Sequence, residues 1–507
     1  MEPVFVTQQQ IRNKIRKLRK DAAPGPDGIT PSILQRLEES VVVPLEIIFN
    51  MAIESGDLPQ DWKIANVTPI FKKGTKGDPG NYRPVSLTSV PCKIFESIVK
   101  DRVMSHLLDN NLIRNSQHGF MPGRSCATNL VEFMDFVTRS VDEGKPVDIF
   151  YLDFAKAFDK VPRKRLVKKM VAKGLEPAVV NWKKNWLTGR TQHVNIQGEK
   201  SESCDVDSGV PQGTVLGPTL FTIYIDDLEV DMEELKLDVK LVKFTDDTNG
   251  GKVVTSIEDR DKLQQALNCL CDWAEKWGMS FNLSKCKIMH VGLHNPQYDY
   301  YMRGTKLGTT DEERDIGVLV TKNLKPSAQC SQAAGRAMSV LGQLRRNFHY
   351  RDRHTFLKLY KQYVRPHLEF SSPAWSPWLQ GDKYTLEKVQ EKAIKMVAGL
   401  RGSTYEEKCA ELGLKTLEER RGGQDMALVH KFLTERTGTD LFRLTAAQGR
   451  ARTRQAAGEH GLAVQFSRTD ARKYSFAVRA VENWNKLSED VKTSQNSKVF
   501  KNRLKKL

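Results

Sequence analysis

The chain has 507 residues, enough for two to four structural units at about 100–200 residues each. Its 39% hydrophobic and 28% charged residues are typical of a folded protein and exclude a disordered one. The formal net charge of +17 favours a polyanionic partner, because neutralising phosphates releases counterions.

The eight cysteines lack zinc-ligand spacing. No apolar run approaches the roughly 18 residues of a membrane span. We therefore expect an intracellular protein without a membrane segment.

The first half of the chain alternates predicted helices and strands. Hydrophobic spacing of three and four residues indicates helices, and short β-branched runs indicate strands. The predicted helices cover residues 7–21, 32–55, 90–108, 163–173 and 176–187. The predicted strands cover residues 66–71, 147–153, 192–197 and 204–210.

The second half begins with helical spacing over 215–228, followed by a strand at 239–244. That strand leads into Asp246 and Asp247 and then into Asn249-Gly250, a dipeptide typical of hairpin turns. The turn could lie at the acids or at Asn249-Gly250, and the pattern leaves both open. Further helices are predicted at 257–277, from about 330 to 346, and at 352–364, before a polar linker at 446–460 and a basic C-terminal end.

Three carboxylates have the placement that phosphoryl transfer requires. Asp153 closes an apolar strand, and Asp246 and Asp247 lie side by side at or near a hairpin. Mg²⁺ prefers oxygen ligands, and two such ions can activate a 3′-hydroxyl and stabilise leaving pyrophosphate. An isolated Asp-Asp pair is usually a solvated turn, so the pair alone is weak support for a metal site.

The order of motifs gives much stronger support. The motifs are 23–28 (APGPDG), 81–87 (NYRPVSL), 117–120 (QHGF), 151–159 (YLDFAKAFD), 208–218 (SGVPQGTVLGP), 244–247 (FTDD), 277–286 (WGMSFNLSKC), 364–369 (VRPHLE) and 417–421 (LEERR). In order and spacing they resemble the motifs of LINE-type (non-LTR) retrotransposon reverse transcriptases, of the jockey-like branch.

This resemblance implies an α+β right-hand polymerase fold with fingers and palm, a helical thumb and a basic C-terminal region. The expected domains are an N-terminal extension with the first fingers motif (1–60), fingers and palm (61–310), primer-grip hairpin and thumb (311–400), and a basic region of unknown role (401–507). Residues 313–318 (ERDIGV) resemble the hairpin that grips the primer end.

The resemblance also assigns roles to side chains. Asp153, Asp246 and Asp247 match the catalytic acids that hold two Mg²⁺, with Mn²⁺ as a substitute ion. Phe158 matches the ring that excludes a ribose 2′-hydroxyl, although a ring is also ordinary core packing. The remaining nucleotide-site candidates are Arg83, Lys72, Lys73, Gln212 and Gly213, with Lys285 near the leaving pyrophosphate. For the three lysines, a solvated surface position is an equally good interpretation.

The expected function is therefore RNA-directed DNA synthesis, with an RNA template, a DNA primer or target and dNTPs as partners. Such an element works in a cytoplasmic ribonucleoprotein and in the nucleus. An RNA-dependent RNA polymerase is disfavoured by Phe158 and the Gln212-Gly213 loop, and nothing resembles a maturase domain.

The sequence departs from the family pattern in three ways. Thr245 stands where the family commonly has alanine, and because the side chain stays small we expect it to be tolerated. Residues 248–251 (TNGG) are about one residue short, which favours the alternative of an inactive relic that still binds RNA. The fingers motifs begin close to Met1, so we expect an endonuclease to come from a missing upstream region or another protein.

Overall fold

A computed structural model describes residues 1–349, 352–397, 399–400, 404–435, 437–439, 441–442 and 460–506. The predicted linker at 446–460 lies outside the described residues except for His460. The chain divides into two compact units. The first unit comprises Met1–Phe120, Asp153–Leu235 and Asn268–Asn282, and the second comprises Met121–Leu152, Lys236–Leu267 and Leu283–Leu507.

The described residues form strands and helices in alternation. The strands are β1 Ile64–Phe71, β2 Tyr82–Leu87, β3 Val147–Leu152, β4 Arg190–Ile196, β5 Glu199–Lys200, β6 Cys204–Val206, β7 Lys240–Phe244, β8 Asp247–Val253, β9 Lys287–Val291, β10 Tyr301–Met302, β11 Thr305–Lys306, β12 Gly308–Thr309, β13 Glu312–Asp315 and β14 Val318–Thr321. The α-helices are α1 Gln8–Arg16, α2 Pro31–Arg36, α3 Glu38–Ser55, α4 Val90–Asp109, α5 Cys126–Asp142, α6 Ala157–Lys160, α7 Arg163–Ala172, α8 Pro177–Leu187, α9 Gly217–Ile225, α10 Val230–Glu234, α11 Ile257–Trp277, α12 Ser327–Asn347, α13 Arg353–Leu359, α14 Arg365–Glu369, α15 Ser372–Trp375, α16 Gln380–Ile394, α17 Tyr405–Glu411, α18 Leu417–Thr434, α19 Asp470–Lys473, α20 Phe476–Asn485, α21 Glu489–Lys492 and α22 Ser497–Leu504.

The first unit contains a sheet in the order β2-β1-β4-β5, with β6 also pairing with β4. Strands β1 and β2 are antiparallel, whereas β1 and β4 are parallel. Aromatic rings fill the helical part of this unit: Phe95 on α4 stacks on Phe49 with centroids 4.8 Å apart and meets Trp182 edge-on at 4.7 Å. These aromatic contacts fix α4 against α3 and α8.

The second unit contains a five-stranded sheet in the order β12-β9-β3-β8-β7. All six residues of the central strand β3 are buried, as its apolar sequence predicts. Helix α5 begins at the N-cap Ser125, whose side chain accepts from the Thr128 amide. Its Phe133 and Val137 join the β3 residues Val147 and Ile149 in one apolar cluster, so α5 covers one face of this sheet.

Helix α12 presents an apolar stripe to the core of the second unit. Its buried members are Ala333, Ala334, Ala337, Leu341 and Leu344. The predicted helix at 352–364 is α13 followed by one π-helical turn, Tyr360–Val364. Strands β13 and β14 form the predicted hairpin at 313–318.

The C-terminal residues of the second unit are held by burial and by charge. Phe476 and Trp484 on α20 and Phe500 on α22 pack in one cluster with α18 residues such as Val429. Arg472, 2% exposed, donates to the buried Asp135 on α5 at 2.6 Å. The end of the chain is thereby attached to α5, which lies more than 300 residues earlier in the sequence.

The mixture of helices and mainly antiparallel strand pairs confirms the predicted α+β class. Strands β1 and β3 and helices α4 and α11 lie within one or two residues of their predicted bounds. Across the described part of the chain, no helix combines the length and apolar character needed to cross a membrane.

Candidate active site

The acid pair lies on a tight hairpin of the second unit. Phe244 pairs with Asp247, so the turn between β7 and β8 consists of Thr245 and Asp246. Thr245 has a φ of +63°, and two-residue hairpin turns require a positive φ of this kind. Threonine rarely adopts such a φ, so the backbone beside the acids is strained. The turn therefore lies at the acids, which resolves the alternative that the sequence left open.

Residues Asn249 and Gly250 lie inside strand β8, opposite Tyr151 and Phe150 of β3. A β-carbon on Gly250 would clash with the Phe150 ring and lie 2.9 Å from the Lys240 carbonyl oxygen. Glycine is needed here for close packing rather than for a turn. Strand β8 pairs without a bulge from Asp247 to Val253, so the short segment 248–251 does not interrupt the sheet.

The end of β3 lies beside the beginning of β8. Leu152, the last residue of β3, pairs with Thr248, and Asp153 is the next residue in the chain. Asp153 and Asp246 are half-buried, whereas Asp247 is exposed. Lys285, which is exposed, precedes β9 by two residues, and Lys287 pairs with Tyr151 at this same end of the sheet.

A buried polar contact lies close to the acid hairpin. The Asn249 side-chain amide donates to Asp315 on β13 at 2.5 Å. Burial raises the pKa of the Asp315 carboxyl to about 7, and the negative charges of Asp247 and Glu313 act in the same direction. The buried Tyr151 hydroxyl, which has no hydrogen-bond partner among the described residues, has its pKa raised by burial and by Asp315.

In the first unit, Phe158 is tied to the loop 208–217. Its ring stacks on Phe221 with centroids 4.5 Å apart, and its carbonyl accepts from the Val210 amide at 2.8 Å. The next residue, Asp159, accepts from the Gln212 side chain at 3.2 Å. The structure thus brings together two predicted nucleotide-site residues, Phe158 and Gln212.

The same loop is attached to strand β2. The Ser86 amide donates to the Gln212 carbonyl at 2.8 Å. A β-carbon on Gly213, which has a φ of +102°, would lie 2.7 Å from the Ser86 carbonyl oxygen. Glycine at 213 therefore permits close approach of two protein segments, a reason that the family resemblance did not supply.

Arg83 lies on the same strand three residues before Ser86, opposite Ile70 of β1. The Lys72 amide donates to the Asn81 carbonyl at 2.8 Å and closes the β1–β2 loop. The side chains of Arg83, Lys72 and Lys73 are all exposed. Strand β2 therefore carries Arg83 and also binds the Gln212-Gly213 loop.

The described residues contain no cluster of three or more His, Cys, Asp or Glu side chains able to hold a metal ion. Mg²⁺ in polymerase-type sites is commonly held by one or two carboxylates together with substrate phosphates rather than by a cage of protein ligands. The adjacent carboxylates of Asp246 and Asp247 are oxygen ligands of the kind that such a site uses.

Comparisons with known proteins identify the family to which the chain is similar. The sequence model of the family described as "Reverse transcriptase (RNA-dependent DNA polymerase)" matches residues 70–333, just over half of the chain. The "RNA-directed DNA polymerase from mobile element jockey" of Drosophila melanogaster is 32% identical over 55% of this chain and 31% of its own length. The "Probable RNA-directed DNA polymerase from transposon X-element" of the same species is 24% identical over 78% of this chain and 44% of its own length.

The chain spans less than half the length of these two relatives. Among solved structures, the apo telomerase of Candida tropicalis matches with a TM-score of 0.38 and 12% identity over 58% of this chain and 59% of that chain, a likeness too slight to carry an argument. The predicted resemblance to jockey-like, non-LTR elements is confirmed by the sequence relatives. This chain belongs to the reverse transcriptase family.

Proposed function

We propose that the chain is the RNA-directed DNA polymerase of a non-LTR retrotransposon, extending a DNA 3′-hydroxyl on an RNA template. The observation that carries the proposal is the acid hairpin of Asp246 and Asp247 beside the end of β3, in a chain whose residues 70–333 match the reverse transcriptase family. Net charge +17 suits its partners, an RNA template and a DNA primer.

The proposed metal ligands are Asp153, Asp246 and Asp247. Their carboxylates would hold two Mg²⁺, or Mn²⁺ as a substitute, which when bound would activate the 3′-hydroxyl and neutralise charge on the leaving pyrophosphate. Lys285, before β9, would supply a positive charge to the same pyrophosphate.

The proposed nucleotide site lies on β2 and on the loop that β2 supports. Arg83 would bind the triphosphate oxygens through its planar fork, with Lys72 and Lys73 adding charge. Gln212 and Gly213 would lie along the incoming dNTP. Phe158, held by its stack on Phe221, would exclude a ribose 2′-hydroxyl by steric clash.

The proposed grip on the RNA–DNA hybrid comes from the second unit. Arg314 on β13 and Arg336 on α12 are both exposed. Partial burial lowers the pKa of the Arg314 guanidinium, and the positive charge of Arg336 lowers that pKa further. The two guanidinium charges repel one another, and a phosphate bound by both would relieve that repulsion. We place the hairpin 313–318 at the primer end and α12 along the backbone phosphates.

The inactive relic is the less favoured alternative, because its motivating feature, the short segment after Asp247, is paired throughout strand β8. For an active element we propose assembly with RNA in the cytoplasm and DNA synthesis in the nucleus.

Primer extension on an RNA template with dNTPs and Mg²⁺ tests the proposal, run with the parent chain, Asp246→Asn and Asp238→Asn. Asp238 is the matched control, because it is an acid of the same unit with a φ of +53°, which asparagine tolerates. We expect extension by the parent and by Asp238→Asn only. Binding of RNA without extension by the parent would establish the relic instead.

A further inference from the structure

The first unit contains an ion pair that is closed to solvent. Glu96 on α4 is 0% exposed and Lys183 on α8 is 1% exposed. The Lys183 ammonium lies 2.7 Å from one Glu96 oxygen and 3.3 Å from the centroid of the Trp186 ring. The sequence motifs assign no role to either charged residue.

The second oxygen of Glu96 has a different partner. It accepts from the backbone amide of Val215 at 3.2 Å. Val215 follows Gln212 by three residues in the loop 208–217. The segment from Gln212 to Val215 is thus attached at both ends, to Ser86 of β2 and to Glu96 of the next element, α4.

Stability alone is a poor explanation for this pair. Replacing a buried ion pair with well-packed apolar side chains is often neutral or stabilising, because both charges lose their hydration on burial. Apolar side chains could hold α4 against α8 equally well. Apolar side chains could not accept a hydrogen bond from the Val215 amide. The Glu96 carboxylate does so, and it also binds Lys183 of α8, so it connects the loop 208–217 to α4 and α8.

We propose that Glu96 is a positioning residue that sets the backbone of the Gln212–Val215 segment, with Lys183 as its counterion. The inference rests on the proposed polymerase function and deepens it: the pair governs how the nucleotide loop meets the incoming dNTP. Loss of the attachment raises the KM for dNTP and leaves affinity for the RNA–DNA hybrid unchanged.

Two double variants isolate the attachment. Glu96→Leu with Lys183→Met removes both charges and the acceptor for Val215. Glu96→Gln with Lys183→Met removes both charges but retains an acceptor oxygen. Neither leaves Glu96 or Lys183 as a lone buried charge, so both avoid the penalty that a single substitution at either residue would carry. Asp135→Asn with Arg472→Met, which removes a buried ion pair of the second unit, is the matched control.

The first readout is primer extension with varied dNTP concentration. We expect the leucine variant to raise the KM for dNTP at least about tenfold, within the roughly 10²-fold that a 1 Å misplacement can cost. The glutamine variant and the control should stay near the parent value. Equal KM values in the leucine and glutamine variants would overturn the proposal.

The second readout needs no substrate. Hydrogen exchange of the peptide containing Ser86, whose amide donates to Gln212, should accelerate in the leucine variant and not in the glutamine variant. If the parent chain does not extend primers, the polymerase function fails, and this comparison still decides the positioning role. Identical exchange in both variants would reject it.

Discussion

The side-chain amide of Asn249 donates a hydrogen bond of 2.5 Å to the side chain of Asp315. This bond joins strand β8, which begins at Asp247, to the hairpin at 313–318. Asp315 is only 3% exposed, and Asn249 follows Asp247 by two residues. Any change at Asp315 therefore acts on the strand that begins with a proposed metal ligand.

The first prediction concerns the pH dependence of stability. Burial raises the pKa of Asp315 to about 7 in the folded chain, above its ordinary value of 3.8. Between these pH values the Asp315 carboxyl keeps its proton in the folded chain but has released it in the unfolded chain. The free energy of unfolding therefore falls as pH rises from about 4 to about 7. Asp315→Asn should remove this loss, on the order of 1–4 kcal/mol above pH 7, and keep the bond from Asn249.

Urea unfolding at pH 4.5, 6 and 8 in metal-free buffer measures this difference between variant and parent. Asp311→Asn, at an exposed acid near the same hairpin, is the control. A constant difference for Asp315→Asn would contradict the buried, protonated state of Asp315.

The second prediction concerns sugar discrimination. Phe158→Ala should admit ribonucleotides, because the ring that stacks on Phe221 is removed. We expect the preference for dNTP over rNTP in kcat/KM to fall at least about tenfold, which corresponds to about 1.4 kcal/mol. Phe158→Tyr keeps the ring and should keep the preference. Unchanged selectivity in the alanine variant would leave Phe158 with a packing role alone.

The third prediction concerns the triphosphate. Arg83→Ala should raise the KM for dNTP by about one to two orders of magnitude, because a hydrogen bond to a charged group contributes about 1.5–3 kcal/mol. Arg83→Lys should recover only part of the loss, since lysine lacks the planar fork. Steady-state extension gives the KM, and hybrid affinity serves as the control. A KM equal to that of the parent would remove Arg83 from the site.

The fourth prediction concerns the packing of the acid-bearing strand. Gly250→Ala should destabilise the chain by about 1–3 kcal/mol, the usual cost of overpacking, because the new methyl group meets the Phe150 ring. Adding Phe150→Leu should restore part of the stability. Thermal unfolding of the single and double variants measures both effects, and additive losses would show that the two side chains do not meet.

The fifth prediction concerns binding of the hybrid. Arg336→Ala should reduce the slope of log affinity against log salt by about 1, the change expected for one lost phosphate contact. Lys395→Ala is the control, because Lys395 is an exposed base already paired with Glu391. An equal change in both variants would assign the effect to overall charge.

Hydrophobic spacing predicted the long helices and strands well, because their apolar residues recur at the spacing of the element and are the residues that become buried. Helix α11 has its predicted bounds, 257–277, and every residue of β3 is buried as its apolar run indicates. Helix α5 was not predicted from the sequence. Its apolar residues Leu130, Phe133, Val137 and Val141 recur at helical spacing, so the sequence pattern does indicate this helix.

The sequence predicted some features of the candidate site and missed those that depend on contacts between distant parts of the chain. Motif order located the acids and the Gln212-Gly213 loop. It could not show that Asn249-Gly250 lies within a strand, because the Phe150 ring that requires the glycine lies about a hundred residues earlier. Glu96 and Lys183 resemble surface charges in the sequence, and only the folded arrangement identifies them as a buried pair.

The bond between Arg472 and Asp135 limits how far the chain can be shortened. Asp135 lies inside the segment 70–333 that matches the family, whereas its guanidinium partner lies far beyond that segment. An excised polymerase segment would lose the Arg472 guanidinium that attaches the C-terminal helices to Asp135, and it would expose the face of α5 that α19 and α20 cover. Recombinant versions that end near residue 400 should therefore aggregate, whereas versions that retain the last helices should stay monodisperse in size-exclusion chromatography.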